Sequence, residues 1–103
     1  MHERIPVDLR SRFSHGNIFN TGTIMNLSKE GMFIKTKNVM PIDSVISVIM
    51  HTGEELFQIF AKVKRLNKTA ERYDGMDIDI ISSNSSYLKY VKNLLPANTN
   101  WII

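Results

Sequence analysis

This sequence predicts an all-β domain, closed as an antiparallel barrel or sandwich, with one α-helix at its C-terminal end. Three observations carry the prediction. Apolar and polar residues alternate with period two through six short stretches, turn residues separate those stretches, and the period changes to three and four only once, late in the chain. At 103 residues and 43% hydrophobic content the chain can bury one modest core. A single domain over residues 1–96 with a short tail, 97–103, is expected.

The first strand is predicted over residues 5–13, where Val7, Leu9, Ser11 and Phe13 share one face and Asp8, Arg10 and Arg12 the other. Ser14-His15-Gly16-Asn17 is a turn by composition. Residues 18–26 are rich in β-branched side chains and form the second strand, with Gly22 expected to mark a bulge. Met32 to Thr36 reads as the third strand. Met40-Pro41-Ile42-Asp43 then interrupts the chain before a fourth strand over residues 44–51. After a hairpin turn at Thr52-Gly53-Glu54-Glu55, Phe57, Ile59, Ala61 and Val63 alternate with polar neighbours along a fifth strand, residues 56–66, Phe60 being the exception. Residues 67–72 are expected to turn the chain into a sixth strand, 73–81, with Met76, Ile78 and Ile80 inward and Asp77 and Asp79 on a solvated face. Tyr87, Leu88, Val91, Leu94 and Leu95 recur at helical spacing over residues 83–95, with Ser82, Ser83 or Asn84 as N-cap and Pro96 closing the helix.

Composition excludes several function classes. Without cysteine there is no disulfide framework, thiol nucleophile or thiolate metal site. The longest apolar stretches, such as residues 45–50, fall far short of the roughly 20 residues that span a bilayer. Met1-His2-Glu3-Arg4-Ile5-Pro6 does not read as a secretion signal, so a cytoplasmic home without membrane insertion is expected. His2, His15 and His51 stand on separate segments without metal-ligand spacing, and glycines occur singly rather than in a phosphate loop, so neither a metal, a cofactor nor an enzymatic reaction is expected. The three Asn-x-Ser/Thr sites read as coincidence, and the apolar ending Trp101-Ile102-Ile103 as an untidy terminus.

Charge is informative in its placement. The net +3 arises entirely within the first forty residues, where Arg4, Arg10, Arg12, Lys29, Lys35 and Lys37 outnumber three carboxylates. A field of that size suits a small anion better than DNA or RNA. One constellation stands out. Asn26-Leu27-Ser28-Lys29-Glu30-Gly31 joins two apolar strands, its Asn and Ser offering polar groups and its glycine free to adopt a positive φ or admit a ligand to the backbone. Arg4, 22 residues before Asn26, lies on an arm that could fold across this turn.

These residues resemble the PilZ domain, a bacterial receptor module for cyclic di-GMP. The family carries an Arg-x-x-x-Arg element before the first strand and an Asp/Asn-x-Ser-x-x-Gly element between the second and third. The latter is complete as Asn26, Ser28 and Gly31, followed by the apolar Met32, and Arg4 before Ile5-Pro6-Val7 looks like the second arginine of the former. Gly75-Met76-Asp77-Ile78 is similar to the family's late strand. The resemblance covers about residues 4–95 and implies a six-stranded antiparallel β-barrel with one C-terminal α-helix.

It also implies roles. Arg4 would meet a phosphate or the O6/N7 edge of guanine bidentately, Asn26 a guanine edge, and Ser28 a phosphate or base, with Gly31 keeping the turn tight. Arg10, Arg12, Lys29 and Lys35 would be auxiliary. The implied function is a cyclic di-GMP receptor or adaptor coupled to a protein effector in motility, biofilm or secretion control. The family's first arginine would precede Met1, outside this sequence, which motivates the alternative of a protein-interaction adaptor that binds no nucleotide. A small barrel binding single-stranded nucleic acid is a third reading, resting only on the basic first forty residues.

Overall fold

The alternation that marks each stretch as a strand also fixes which face turns inward, and the strands close on one another around that shared interior. The computed structural model describes residues 4–94. Strands β1 (Ile5–His15), β2 (Ile18–Leu27), β3 (Gly31–Lys35), β4 (Val45–His51), β5 (Leu56–Thr69) and β6 (Arg72–Ser82) precede helix α1 (Ser85–Leu94). They form a closed antiparallel barrel in the order β1-β2-β3-β6-β5-β4, with β4 pairing back onto β1. Closure leaves no strand edge to guard. The expected end of the helix at Leu95, Pro96 and the tail lie outside the described residues.

Along β5, Phe57, Ile59, Ala61 and Val63 are buried while Leu56, Gln58, Phe60 and Lys62 are exposed, as the alternation predicts. Phe13, Ile24, Ile34, Val48 and Ile78 meet them inside the barrel. Each such side chain contributes about 1.5–3 kcal/mol on burial. A one-residue slip of any strand would turn its whole set outward, so the register is strongly specified. No helix among the described residues is long and apolar enough to cross a membrane.

Four expectations need correction. Gly22 pairs regularly with Ser11, and the bulges fall elsewhere, between Pro6 and Leu9 on β1 and between Ile24 and Asn26 on β2. The glycine is required by packing: a Cβ there would lie 2.7 Å from the Ile34 methyl and 3.3 Å from the Phe13 ring. Second, residues 67–69 and 72 extend β5 and β6, and the chain reverses only at Ala70-Glu71, with Ala70 at φ 55°. Their polar composition reflects a hairpin tip in water. Asn67 and Thr69 both hydrogen-bond the Asp74 carboxylate, and the Lys68 ammonium lies 5.5 Å from the Tyr73 ring centre. Third, β3 ends at Lys35, although Thr36 is buried and bonds the Asp74 and Thr21 carbonyls. Fourth, α1 starts at Ser85, because Asn84 is the cap whose side-chain oxygen accepts the Tyr87 amide at 2.9 Å. Its inward stripe is Tyr87, Val91 and the half-buried Tyr90 and Leu94, whereas Leu88 faces solvent. Tyr90 instead packs on Phe57, with ring centres 5.3 Å apart.

Candidate cyclic dinucleotide site

The turn between β2 and β3 is organised by Ser28. Buried at 5% exposure, its hydroxyl accepts the Glu30 and Gly31 amides at 3.1 and 3.2 Å, while its own amide donates to the Gly31 carbonyl at 2.8 Å. A serine closing a turn onto backbone amides in this way replaces ladder bonds the strands cannot supply there. From beneath, the Tyr87 hydroxyl of α1 donates to the Ser28 carbonyl at 2.7 Å, and the Ile80 amide of β6 donates to Glu30 at 2.8 Å. The turn is therefore held from the helix and from the barrel wall. Burial pushes the Tyr87 phenol well above its ordinary pKa, with the nearby Arg4 charge opposing the shift.

Gly31 is buried, and its backbone stays out of the left-handed region, which among the described glycines only Gly16 and Gly53 occupy. Of the two roles the sequence allows this glycine, a positive φ is not the one adopted. Close approach is what excludes a side chain: a Cβ at Gly31 would stand 2.7 Å from the Ile78 carbonyl and 2.9 Å from Arg4 Nη2. The Arg4 side chain reaches across the turn and places its guanidinium over this glycine.

Arg4 is held there by two acceptors. Its Nη1 donates to Asn26 Oδ1 at 3.1 Å and to Asp77 Oδ1 at 2.5 Å, the latter a half-buried ion pair. On the other carboxylate oxygen, Asp77 Oδ2, the Nε of Arg65 stands 4.0 Å away. Sheet register explains the convergence. Asn26 pairs with Phe33, Phe33 with Asp77, and Asp77 with Arg65, so these four residues form one row across β2, β3, β6 and β5. The half-buried Phe33 ring lies against Gly75, where any side chain would collide with it.

Sequence reasoning brought Arg4, Asn26, Ser28 and Gly31 together, and they are together. It missed Asp77 and Arg65. Asp77 was read with Asp79 as a solvated pair, which holds for Asp79, exposed and 3.9 Å from the Lys64 ammonium, but not for Asp77. Lys29 is exposed on the turn itself, and Lys35 lies at the far end of β3 opposite Gly75. Arg10 and Arg12 are not brought to this cluster: they pair with Thr23 and Thr21, well along β1 from the Ile5–Leu27 pair beside which Arg4 sits. Among the described residues no three His, Asp or Glu side chains are grouped to hold a metal ion.

The sequence matches the model of the PilZ domain family over residues 1–93. The chain belongs to the PilZ domain family. Two solved structures support the fold. One, the Bacillus subtilis inhibitor of motility MotI/DgrA, superposes with a TM-score of 0.77 at 12% identity, over 94% of this chain and 50% of that one. This PilZ chain thus spans half the length of the motility inhibitor. The other, the PilZ domain of CeSA from a cellulose-synthesizing bacterium, gives a TM-score of 0.69 at 18% identity over 90% of this chain and 94% of that one. No curated protein sequence matches. PilZ domains are regulatory and ligand-binding modules, and the six-stranded closed barrel with one C-terminal helix is the architecture found here.

Proposed function

We propose that this PilZ domain is a cytosolic cyclic di-GMP receptor that passes ligand binding to a protein partner in motility, biofilm or secretion control. The observation that carries the reading is the Arg4 guanidinium lying over Gly31 and bonded to Asn26, so that arm and turn already form one surface. A guanidinium there meets a phosphate or a guanine O6/N7 edge with two parallel hydrogen bonds. Asn26 offers an amide to a base edge, and Asp77 offers carboxylate oxygens to the guanine N–H donors. Ser28 contributes by shaping the turn and by its place beside the ligand, and Lys29 by unspecific attraction.

Arg65 supplies the second guanidinium in this reading. It reaches the same carboxylate as Arg4 from the opposite side, which Arg10 and Arg12 do not. The route outward runs through the bond between the Ser28 carbonyl and Tyr87, which links the turn to α1. Stiffening of the arm and turn on binding would alter how that side of the barrel meets a partner. The similarity to a motility inhibitor supports a search for the partner among motility proteins.

One observation favours the other reading, an adaptor that binds no nucleotide: Arg4 already has two acceptors, so its guanidinium does not stand bare for a ligand. Calorimetric titration with cyclic di-GMP, using cyclic di-AMP and GTP as controls, separates the two. Selective saturable binding is expected. No heat at high ligand concentration, with an unchanged partner interaction, would leave the adaptor.

A further inference from the structure

A broad concavity among the described residues lies away from the Arg4 cluster. It is a cleft of about 630 Å³ on the outer wall of β1 and β2, lined by Arg10, Arg12, Thr21, Thr23 and His51 over the backbone of Ser11 and Gly22. Its construction follows from register. Arg10 pairs with Thr23 and Arg12 with Thr21, so two cross-strand rows stand either side of the Ser11–Gly22 pair, whose side-chain positions turn inward. The floor is thereby left as bare backbone. Neither arginine has a carboxylate partner among the described residues, in contrast to Arg4. A second, adjoining depression of about 310 Å³ runs from Arg12 and Thr21 to Asn20 and Phe19, the last 76% exposed.

We propose that this groove is a ligand site separate from the Arg4 cluster, and that it takes a nucleoside phosphate. The phosphate lies between the two arginines. Residues two apart on a strand are spaced by roughly 6.6 Å, which lets two guanidiniums flank one phosphate at normal N–H···O distances. Thr21 and Thr23 add hydroxyl donors, and His51 a ring nitrogen from the β4 side. A phosphate has enough oxygens to accept from all of them, whereas a single carboxylate does not. The planar base rests on Phe19, an aromatic face beside a cation, in the adjoining depression. The open volume is within the usual range for small-molecule sites and far above that of a lone ion.

The test follows backbone amide signals by NMR while GMP, guanosine or inorganic phosphate is added to the wild-type chain and to Arg4→Ala. GMP is expected to shift the amides of Ser11, Thr21 and Gly22 saturably and equally in both proteins. Guanosine and phosphate alone should each bind at least 10-fold more weakly, and Arg10→Gln with Arg12→Gln should weaken GMP by at least 10-fold. Both arginines are exposed, so circular dichroism is expected to show the double variant folded. Absent shifts at those amides, or unchanged GMP affinity in the folded double variant, would overturn the site. Phosphate binding as tightly as GMP would overturn the base contact, and a short oligothymidylate binding over 10-fold tighter than GMP would overturn the free-nucleotide assignment. Because Arg4→Ala is carried in parallel, loss of the cyclic dinucleotide site leaves this outcome readable.

Discussion

Arg4, just before β1, and Arg10 and Arg12 within it all lie on the barrel surface, and the fold treats them oppositely. At the start of the strand, Arg4 is half-buried, bonded to Asn26 and paired with Asp77, a residue 73 positions away. Six to eight residues on, Arg10 and Arg12 line an open cleft with no carboxylate partner among the described residues. The difference is one of topology. The Arg4 side chain reaches Asn26 on β2 and the Asp77 carboxylate on β6, while the middle of β1 is flanked by the threonines of β2 and the Ile49–His51 end of β4. A guanidinium with a fixed partner is preorganised, and one without is available. The first is suited to selective recognition by a shaped surface and the second to attraction of any ligand that brings its own charge.

The contrast can be broken most severely at Arg4. Arg4→Ala is expected to lower cyclic di-GMP affinity on the order of 100-fold, as two charge-assisted hydrogen bonds to the ligand are lost at about 1.5 kcal/mol each. The barrel should stay folded, since an ion pair of this exposure contributes at most about 1 kcal/mol. Arg10→Gln should change the same affinity less than threefold if the two regions are separate. Isothermal calorimetry on both variants reads the difference.

The next effect probes what holds the ordered region from below. Tyr87→Phe removes the donor to the buried Ser28 carbonyl and is expected to cost about 1–3 kcal/mol in urea unfolding. The groove floor has its own support, the buried Ser11 hydroxyl donating to the Gly22 carbonyl at 3.0 Å. The Tyr87 phenol also sets an alkaline limit. Its folded pKa lies above the ordinary 10, so the stability it carries is intact below pH 10 and is lost as pH rises beyond. Wild type should therefore lose stability more steeply above about pH 10 than Tyr87→Phe does. Equal slopes would assign the alkaline loss to other groups.

Arg65→Gln should weaken cyclic di-GMP by about 10-fold, one charge-assisted contact's worth, while leaving GMP binding at the groove unchanged. The smallest effect lies at the β5–β6 tip. Bonds from Asn67 and Thr69 hold the Asp74 carboxyl below its usual range, so its stabilising contribution is present above the unfolded carboxyl pKa and fades as pH falls through the folded one. Asp74→Asn should flatten the acid limb of a stability profile slightly and leave both affinities unaltered.

Most of the barrel was legible in the sequence because period-two alternation states which face is buried, and β5 obeys it from Leu56 to Val63. Where the reading failed, the cause was a contact that alternation does not encode. Gly22 looked like a bulge residue, and at Gly31 positive φ and close approach were both open; both are close-approach residues, set by Ile34 and Phe13 in one case and by Ile78 and Arg4 in the other. Of the candidate site, the Arg4 arm and the Asn26–Gly31 turn were visible as a spacing of 22 residues. Asp77 and Arg65 were not, because their place beside Asn26 depends on β3 pairing with β6 and β6 with β5. An acidic residue on an outward strand position reads as solvated until the register shows a cation across from it. Arg10 and Arg12, being local to one strand, were visible, but their lack of a partner was not.

The most direct test of the account is a cyclic di-GMP titration of wild type and Arg4→Ala followed by amide shifts in both regions at once. The account predicts that, at low ligand, shifts in wild type concentrate at Asn26, Gly31 and Asp77, and that Arg4→Ala abolishes them without disturbing the rest of the spectrum. Undiminished shifts at those three residues in Arg4→Ala, or first shifts confined to Ser11, Thr21 and Gly22 in wild type, would contradict it.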